Sequence, residues 1–561
     1  MYSKKYTLRF VLTFFSIIAC LIFFAVKLVL IQVFSYSHLS DLAQKEHKHF
    51  IEIEPIRGSI YDRNMRPLAF NIPVYSLFAN PMVMSEDDKL KAINMLADLL
   101  KIDESVLKRR LSKDKYFVWI KRRLTADDAD RVRRLHINGL GFRRESKRYY
   151  PDHRLASHVI GFTGVDNKGL EGVELYYDKE LRGRPGKARI VRDARQRELM
   201  LDDYLSPPRD GFDLVLTIDE TIQYIVEQAL DKAFGKSNAK AATVIVSDVN
   251  TGEILALANR PSYDLDSVSS SSLESRTNRA ISYGYEPGSV FKIITLSAAL
   301  EEGKFSEDDK IFCENGAYRV ANHILHDHKP YGVLTFKEVF AFSSNIGVTK
   351  IAQKLGPDII YKYCKRFRVG EKTGIDLKGE ENGILRPPDK WSKLSISAIP
   401  IGQEVMVTPI QVLCMISTIA NKGVYMRPFV VKYIKDHTGH IIKKFSPKRI
   451  DRVISRSTAK KVTDILVDVV EEGTGKKARI KGIKVAGKTG TAQKVVNGRY
   501  SHTKFCATFV GFAPADNPRI AAVVVFDEPH PDHFGGTVAA PVFKEIVENT
   551  LRYLTVRDGG I

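Results

Sequence analysis

Cysteine is scarce in this chain: there are five in 561 residues, at positions 20, 313, 364, 414 and 506, and no two form a CxxC pair. A set so small and odd in number excludes a scaffold built on disulfides. Cys313, Cys364, Cys414 and Cys506 read as small buried thiols, with a disulfide among them left open. Internal repeats and low-complexity tracts are also missing. With 44% hydrophobic and 27% charged residues, this excludes a disordered or collagen-like chain. Acidic residues are outnumbered, 66 Asp+Glu against 86 Lys+Arg, for a formal net charge of +20. Such an excess points to an anionic partner but does not separate nucleic acid from a lipid surface. At about 100–200 residues per domain, the length implies two to four domains.

Long uncharged runs are rare, which makes the first one informative. Phe10 to Val26 carries no charge, and after Lys27 the apolar stretch resumes from Leu28 to Val33. A helix over 10–33 is about 36 Å long at ~1.5 Å per residue, enough for a hydrocarbon core of ~30 Å. A cleaved signal peptide has a shorter apolar region and a small-x-small cleavage site, and neither is found here. The stretch is therefore expected to be a retained anchor. Lys4, Lys5 and Arg9 precede it, which predicts a cytoplasmic amino end, with Lys27 snorkelling toward the outer interface. The expected division is a cytoplasmic tail at 1–9, an anchor at 10–33, a non-catalytic pedestal at 34–215, a catalytic domain at 216–555 and a tail at 556–561. A catalytic domain outside the cytoplasm has no nucleic-acid partner.

The pedestal is basic in places: Lys108-Arg109-Arg110, Lys121-Arg122-Arg123, Arg131, Arg133-Arg134 and Arg143-Arg144. This region reads as mostly helical. Its charges form a solvated face or a patch for anionic lipid, glycan or a partner protein. From residue 213 the pattern sharpens. Asp213–Thr217 alternates like a strand, Ile222–Phe234 reads as a helix, and Ala242–Ser247 with Glu253–Leu257 flank an Asn-Thr-Gly turn as a hairpin. Phe505–Phe512 and Ile520–Phe526 are further strands, and Pro541 opens a last helix running through Tyr553. Strands at both ends with helices between them predict an α+β domain: one antiparallel sheet wrapped by helices.

Three short motifs carry the chemistry. Glu286-Pro-Gly-Ser289-Val-Phe-Lys292 precedes an apolar helical run, and residues three apart share a helix face. A serine hydroxyl is a weak nucleophile until a base takes its proton. Lys292 can be that base if burial and a neighbouring cation lower its pKa. Ser-x-x-Lys spacing also occurs at Ser105, Ser112, Ser237 and Ser457, but without a Pro-Gly break ahead of it. The second motif is Ser343-Ser344-Asn345. Ser343 can relay a proton and Asn345 can hold a substrate amide, although the same pattern serves as a helix cap. The third is Lys488-Thr489-Gly490-Thr491, after strand-like Ile483–Ala486. A lysine and hydroxyls on a sheet edge can bind a carboxylate, and the glycine permits close backbone approach.

Two decoys accompany them. Lys372-Thr373-Gly374 lies among turn residues and reads as a loop. Gly482 to Thr489 matches a phosphate-loop pattern, but the strand falls inside the pattern rather than before it. His323, His326 and His328, like His530 and His533, read as loop residues, since no acidic or cysteine cluster completes a metal site. No cofactor or metal is expected.

SxxK, SxN and KTG in this order are a known signature. With their flanks they resemble the class B penicillin-binding proteins, the monofunctional peptidoglycan transpeptidases. The resemblance spans nearly the whole chain. Arg57-Gly-Ser-Ile-Tyr-Asp-Arg-Asn64 is similar to one pedestal box, and Gly169-Leu-Glu-Gly-Val-Glu174 through Leu181–Gly186 to another. Asn259–Tyr263, Gly402-Gln403, Val407-Thr-Pro409 and Gly535-Gly536 through Phe543 look like catalytic-domain landmarks. Met65 stands where the family usually has glycine. The GLEG and Gly402-Gln403-Glu404 forms look most like the septal, division-specific branch.

The resemblance implies a catalytic domain with a five-stranded antiparallel sheet. It implies that Ser289 attacks the D-Ala-D-Ala carbonyl of a stem peptide, with Lys292 as base and Ser343 and Lys488 handling protons. It implies Asn345, Thr489, Gly490 and Thr491 as substrate-binding residues, and an oxyanion hole from the backbone N–H groups of Ser289 and Thr491. β-Lactams would be covalent inhibitors. A SEDS-family glycan polymerase and division proteins would be partners at the inner membrane. Two other readings use the same residues. A β-lactamase or D,D-carboxypeptidase would turn over a reporter β-lactam rapidly, and an inactive anchored sensor would need a signalling domain.

Overall fold

The computed structural model describes residues 3–34, 49–192 and 198–559. The chain divides into two compact units, Met1–Ile56 with Gly183–Asp210, and Arg57–Arg182 with Gly211–Ile561. In the first, a helix over Ser3–Val29 runs into a π-helical turn at Leu30–Phe34. Leu8–Val33 is, among the described residues, the one helix long and apolar enough to cross a membrane. Its apolar side chains, Phe10 and Leu21 among them, are exposed, and lipid would cover them. A three-stranded antiparallel sheet of His49–Ile53, Gly186–Arg192 and Glu198–Ser206 completes this unit.

The second unit is organised by a five-stranded antiparallel sheet: β1 Ala241–Asp248, β2 Ile254–Arg260, β3 Ala486–Val496, β4 Arg499–Ala513 and β5 Ile520–Asp527, in the order β2-β1-β5-β4-β3. This is the α+β domain expected from the strand and helix pattern. Successive strand side chains point to opposite faces, and both faces are covered. Ala521, Val523 and Val525 of β5 join one core, while Ala522, Val524 and Phe526 join the other. The first core includes helices Lys292–Glu301, Asn345–Leu355, Pro409–Ala420 and Arg456–Glu471. Glu220–Ser237 and Gly535–Arg557 cover the opposite face.

Several elements differ from expectation. The basic segment is only partly helical. Lys121–Arg123 lies in a strand, Val118–Leu124, and Arg143-Arg144 in another, Leu140–Tyr149; both pair with Pro67–Ala79. Ile120 and Leu124 of the first strand are buried against helices Glu86–Leu100 and Ala126–Arg133. Backbone pairing with Pro67–Ala79 fixes the segment as a strand despite its charges. The last helix begins at Gly535, not Pro541, which sits inside it. His323–His326 is a strand paired with Ala317–Val320 rather than a loop. The four cysteines beyond the anchor are buried and unpaired.

The pedestal boxes form an ionic core. Arg57, Arg148 and Glu174 are all buried, and Glu174 bridges the two guanidiniums at 2.6 Å each. Arg57 also contacts Asp178 at 2.6 Å. Asp62 accepts from the backbone N–H groups of Asn64 and Arg66, at 2.7 and 2.8 Å, which closes the turn that holds Met65. Met65 has φ +67°, the left-handed region where glycine is favoured. Removing one partner of a buried ion pair leaves an uncompensated charge. Glu174→Ala is therefore expected to lose about 3–5 kcal/mol of stability, read as a lower urea midpoint of the detergent-solubilised chain.

Candidate active site

The nucleophile candidate sits on a tight turn. Ser289 is half-buried in a 3-10 turn, Gly288–Phe291, that feeds directly into helix Lys292–Glu301. This helix is interior: eight of its ten residues are buried, Lys292 included. Gly288 has φ +57°, and a Cβ there would lie 3.1 Å from the Thr491 carbonyl oxygen. The positive φ favours glycine, and the contact leaves little room for a side chain.

Lys292 Nζ donates to the Ser343 carbonyl at 2.7 Å, to Ser343 Oγ at 3.1 Å and to Asn345 Oδ1 at 2.7 Å. Lys488 Nζ, buried on β3, donates to the same Ser343 Oγ at 2.9 Å and to the Thr489 carbonyl at 3.2 Å. Two amines from distant parts of the chain thus meet on one hydroxyl. Burial pushes the Lys292 amine down to about 7, with the Asp327 carboxylate opposing the shift. Burial, reinforced by the nearby Lys292, holds the Lys488 amine well below its ordinary value. An ammonium has three N–H donors and an uncharged amine two. When Lys292 loses its proton, its 3.1 Å contact can reverse, with the Ser343 hydroxyl donating.

Ser343 reaches both amines because its backbone is left-handed, φ +59°, in the break between helices Phe336–Ala341 and Asn345–Leu355. Ser344 is the helix cap, accepting from the Gly347 N–H at 2.9 Å. The serine pair therefore divides the two roles that the motif left ambiguous.

Lys488-Thr-Gly-Thr491 lies within β3 rather than after it, in register with Val510 to Ala507 on β4. β3 is an edge strand, with one side unpaired. The strand runs through the phosphate-loop pattern, and no helix follows. Lys372–Gly374 is a loop whose Thr373 is bound by Glu380. Gly490 is used by the protein itself: a Cβ there would lie 2.8 Å from both the Pro287 carbonyl oxygen and Val290 Cγ2. Its bare backbone lets the serine turn pack onto the strand. Thr489 Oγ1 lies 2.7 Å from Thr474 Oγ1, and Thr491 Oγ1 accepts from the Gly535 N–H at 3.0 Å. The structure thus gathers Lys292, Ser343, Asn345 and Lys488 by direct hydrogen bonds, and brings Thr489 to Thr491 to the serine turn by packing.

Two family models match the chain, the penicillin-binding protein transpeptidase domain over residues 242–548 and the penicillin-binding protein dimerisation domain over 52–216. The chain belongs to the class B penicillin-binding proteins. Among curated relatives of this penicillin-binding protein, the stage V sporulation protein D of Bacillus subtilis is 36% identical, over 98% of this chain and 86% of its own. The peptidoglycan D,D-transpeptidase FtsI of Escherichia coli is 35% identical, over 98% and 92%. Among solved structures, penicillin-binding protein 3 from Mycobacterium tuberculosis with aztreonam is 30% identical at a TM-score of 0.69, covering 91% of this chain and 97% of that one. This penicillin-binding protein is accordingly an enzyme of the D,D-transpeptidase class.

Asp327 and Thr474 at the site carry no motif. Asp327 lies within the histidine-rich stretch, where the histidines drew attention and the acid did not. Thr474, which reaches Thr489, follows Gly473, where a Cβ would lie 2.0 Å from the Ala341 carbonyl oxygen. The geometry predicts the effect of filling the Gly490 gap. Gly490→Ala should displace the serine turn, costing about 1–3 kcal/mol by overpacking. Penicillin acylation should slow far more than the thermal midpoint falls, measured side by side on the same preparation.

Proposed function

We propose that this penicillin-binding protein is a septal peptidoglycan D,D-transpeptidase that cross-links stem peptides through an acyl-enzyme on Ser289. The observation that carries the reading is the convergence of Lys292 and Lys488 on the Ser343 hydroxyl, beside a serine held against the edge strand. An uncharged Lys292 accepts the Ser289 proton as Oγ attacks the carbonyl of the penultimate D-alanine. The peptide bond to the terminal D-alanine breaks, and its nitrogen receives a proton through Ser343 and Lys488. An amine of a neighbouring stem then attacks the ester, a new amide forms, and Ser289 regains its proton. Asn345, Thr489, Gly490 and Thr491 orient the donor strand along β3 in this scheme. Backbone N–H groups of Ser289 and Thr491 hold the developing oxyanion.

β-Lactams acylate the same hydroxyl in this reading, as suits a family with structures solved with aztreonam and ampicillin. The septal assignment rests on the GLEG and Gly402-Gln403-Glu404 forms, and the FtsI relatives agree with it. The helix Leu8–Val33 would anchor the chain in the inner membrane with its amino end cytoplasmic, as Lys4, Lys5 and Arg9 favour. Residues 34–215 would be the pedestal that meets a SEDS-family polymerase and division proteins, and 216–555 the transpeptidase domain.

Mass spectrometry of penicillin-treated protein tests the core of this. A single lasting adduct on Ser289 is expected, and Ser289→Ala should take none. An adduct elsewhere overturns the nucleophile, and rapid drug turnover favours a hydrolase. Lys292→Ala should slow acylation about 10²–10⁴-fold, the usual worth of a general base. The wild-type rate should rise with pH through about 7, because only the uncharged amine takes a proton and burial sets its pKa there.

A further inference from the structure

Resting on the reading of Lys292 as the base, we propose that Asp327 is a positioning residue for that base: its carboxylate locks the Ser343–Asn345 turn and supplies the negative charge that faces the amine. Asp327 follows directly on the strand His323–His326. One carboxylate oxygen accepts from the backbone N–H groups of Asn345 and Ile346, the first turn of helix Asn345–Leu355. The other accepts from the Ser344 hydroxyl at 2.5 Å. The neighbouring His326 carbonyl accepts from Asn345 Nδ2 at 3.1 Å. That bond orients the side-chain amide so that Oδ1 faces Lys292 Nζ at 2.7 Å. Every partner of Lys292 therefore belongs to a turn that Asp327 holds.

The groups around this centre are few. Lys292 bonds Ser343 in the break and Asn345 at the helix start, feels the charge of Asp327, and itself acts on Lys488 of β3. Asp327 itself is flanked by the Cys313 thiol, which it and burial push up, and by the Tyr331 phenol. Among the described residues, Asp327 is the carboxylate whose charge acts on Lys292. A nearby negative charge favours the protonated amine. The carboxylate thus tempers what burial alone would do to the base, while its two oxygens hold the acceptors in place.

The test is the pH profile of acylation of the full-length, detergent-solubilised chain by a fluorescent penicillin. Asp327→Asn keeps the size and part of the hydrogen bonding but removes the charge. Its rate should fall about ten-fold through the weakened turn. The acid limb should move to lower pH by about one unit, since the amine is then easier to deprotonate. Asp327→Glu keeps the charge but displaces it. Its rate should fall while the midpoint stays at the wild-type value. A purely structural carboxylate would slow both variants and move neither midpoint, which overturns the inference, as does an Asn variant with the wild-type rate. If the Asn variant does not fold, Asp327→Ser, which also removes the charge, decides: an acid limb left at the wild-type pH overturns the inference. A wild-type profile with no limb near 7 overturns the base assignment instead, so the two failures are distinguishable.

Discussion

Two buried amines sharing one hydroxyl are the constraint on which the rest of this molecule depends. An ammonium removed from water without an ion-pair partner is costly, and proteins lower that cost by giving up the proton. Lys292 and Lys488 are both buried, and Lys292 adds to what burial does against a charge on Lys488. What makes Lys292 reactive is therefore its solvation, and its solvation is set by packing. The Ser343 hydroxyl, with two acceptor lone pairs and one proton, can serve both amines and still pass a proton on.

Glycines bring the pieces close enough. A Cβ on Gly402 would stand 2.1 Å from the Gly288 carbonyl oxygen, one on Gly490 2.8 Å from that of Pro287, and one on Gly535 2.3 Å from that of Gly490. These positions stack the Gly402 loop, the serine turn, the edge strand and the start of the last helix in direct backbone contact. Gly535, the first residue of the last helix, donates its N–H to Thr491 Oγ1 at 3.0 Å.

Much of this was legible in the residues. The strands of the catalytic sheet announce themselves because both faces are apolar, so β1, β5 and most of β4 read as near-continuous hydrophobic runs. The motifs are legible because chemistry needs a hydroxyl and an amine one turn apart, then a second hydroxyl and a second amine. What stayed hidden depends on contacts distant in sequence. The charged strand Val118–Leu124 looks helical until Ile120 and Leu124 meet the helices beneath them. Asp327 has no spacing signature, since its value lies in the free N–H groups of a helix that begins eighteen residues later. Gly490 reads in the sequence as leave for a close backbone approach, and the sequence does not show that the protein's own serine turn packs there.

The division of buried charge across the second unit follows from the same physics. In the pedestal boxes, Arg57 and Arg148 are buried with Glu174 between them, in contact with both. A guanidinium does not lose its proton in a protein, so its burial demands a carboxylate in contact. An amine can lose its proton, so Lys292 is buried with hydroxyl, amide and carbonyl oxygens, and the Asp327 carboxylate bonds the turn rather than the amine. Arginine beside an acid makes a fixed joint, and lysine beside neutral acceptors makes a base. Exchanging the residue types between the two places would give a rigid site without a proton acceptor and a pedestal without its lock.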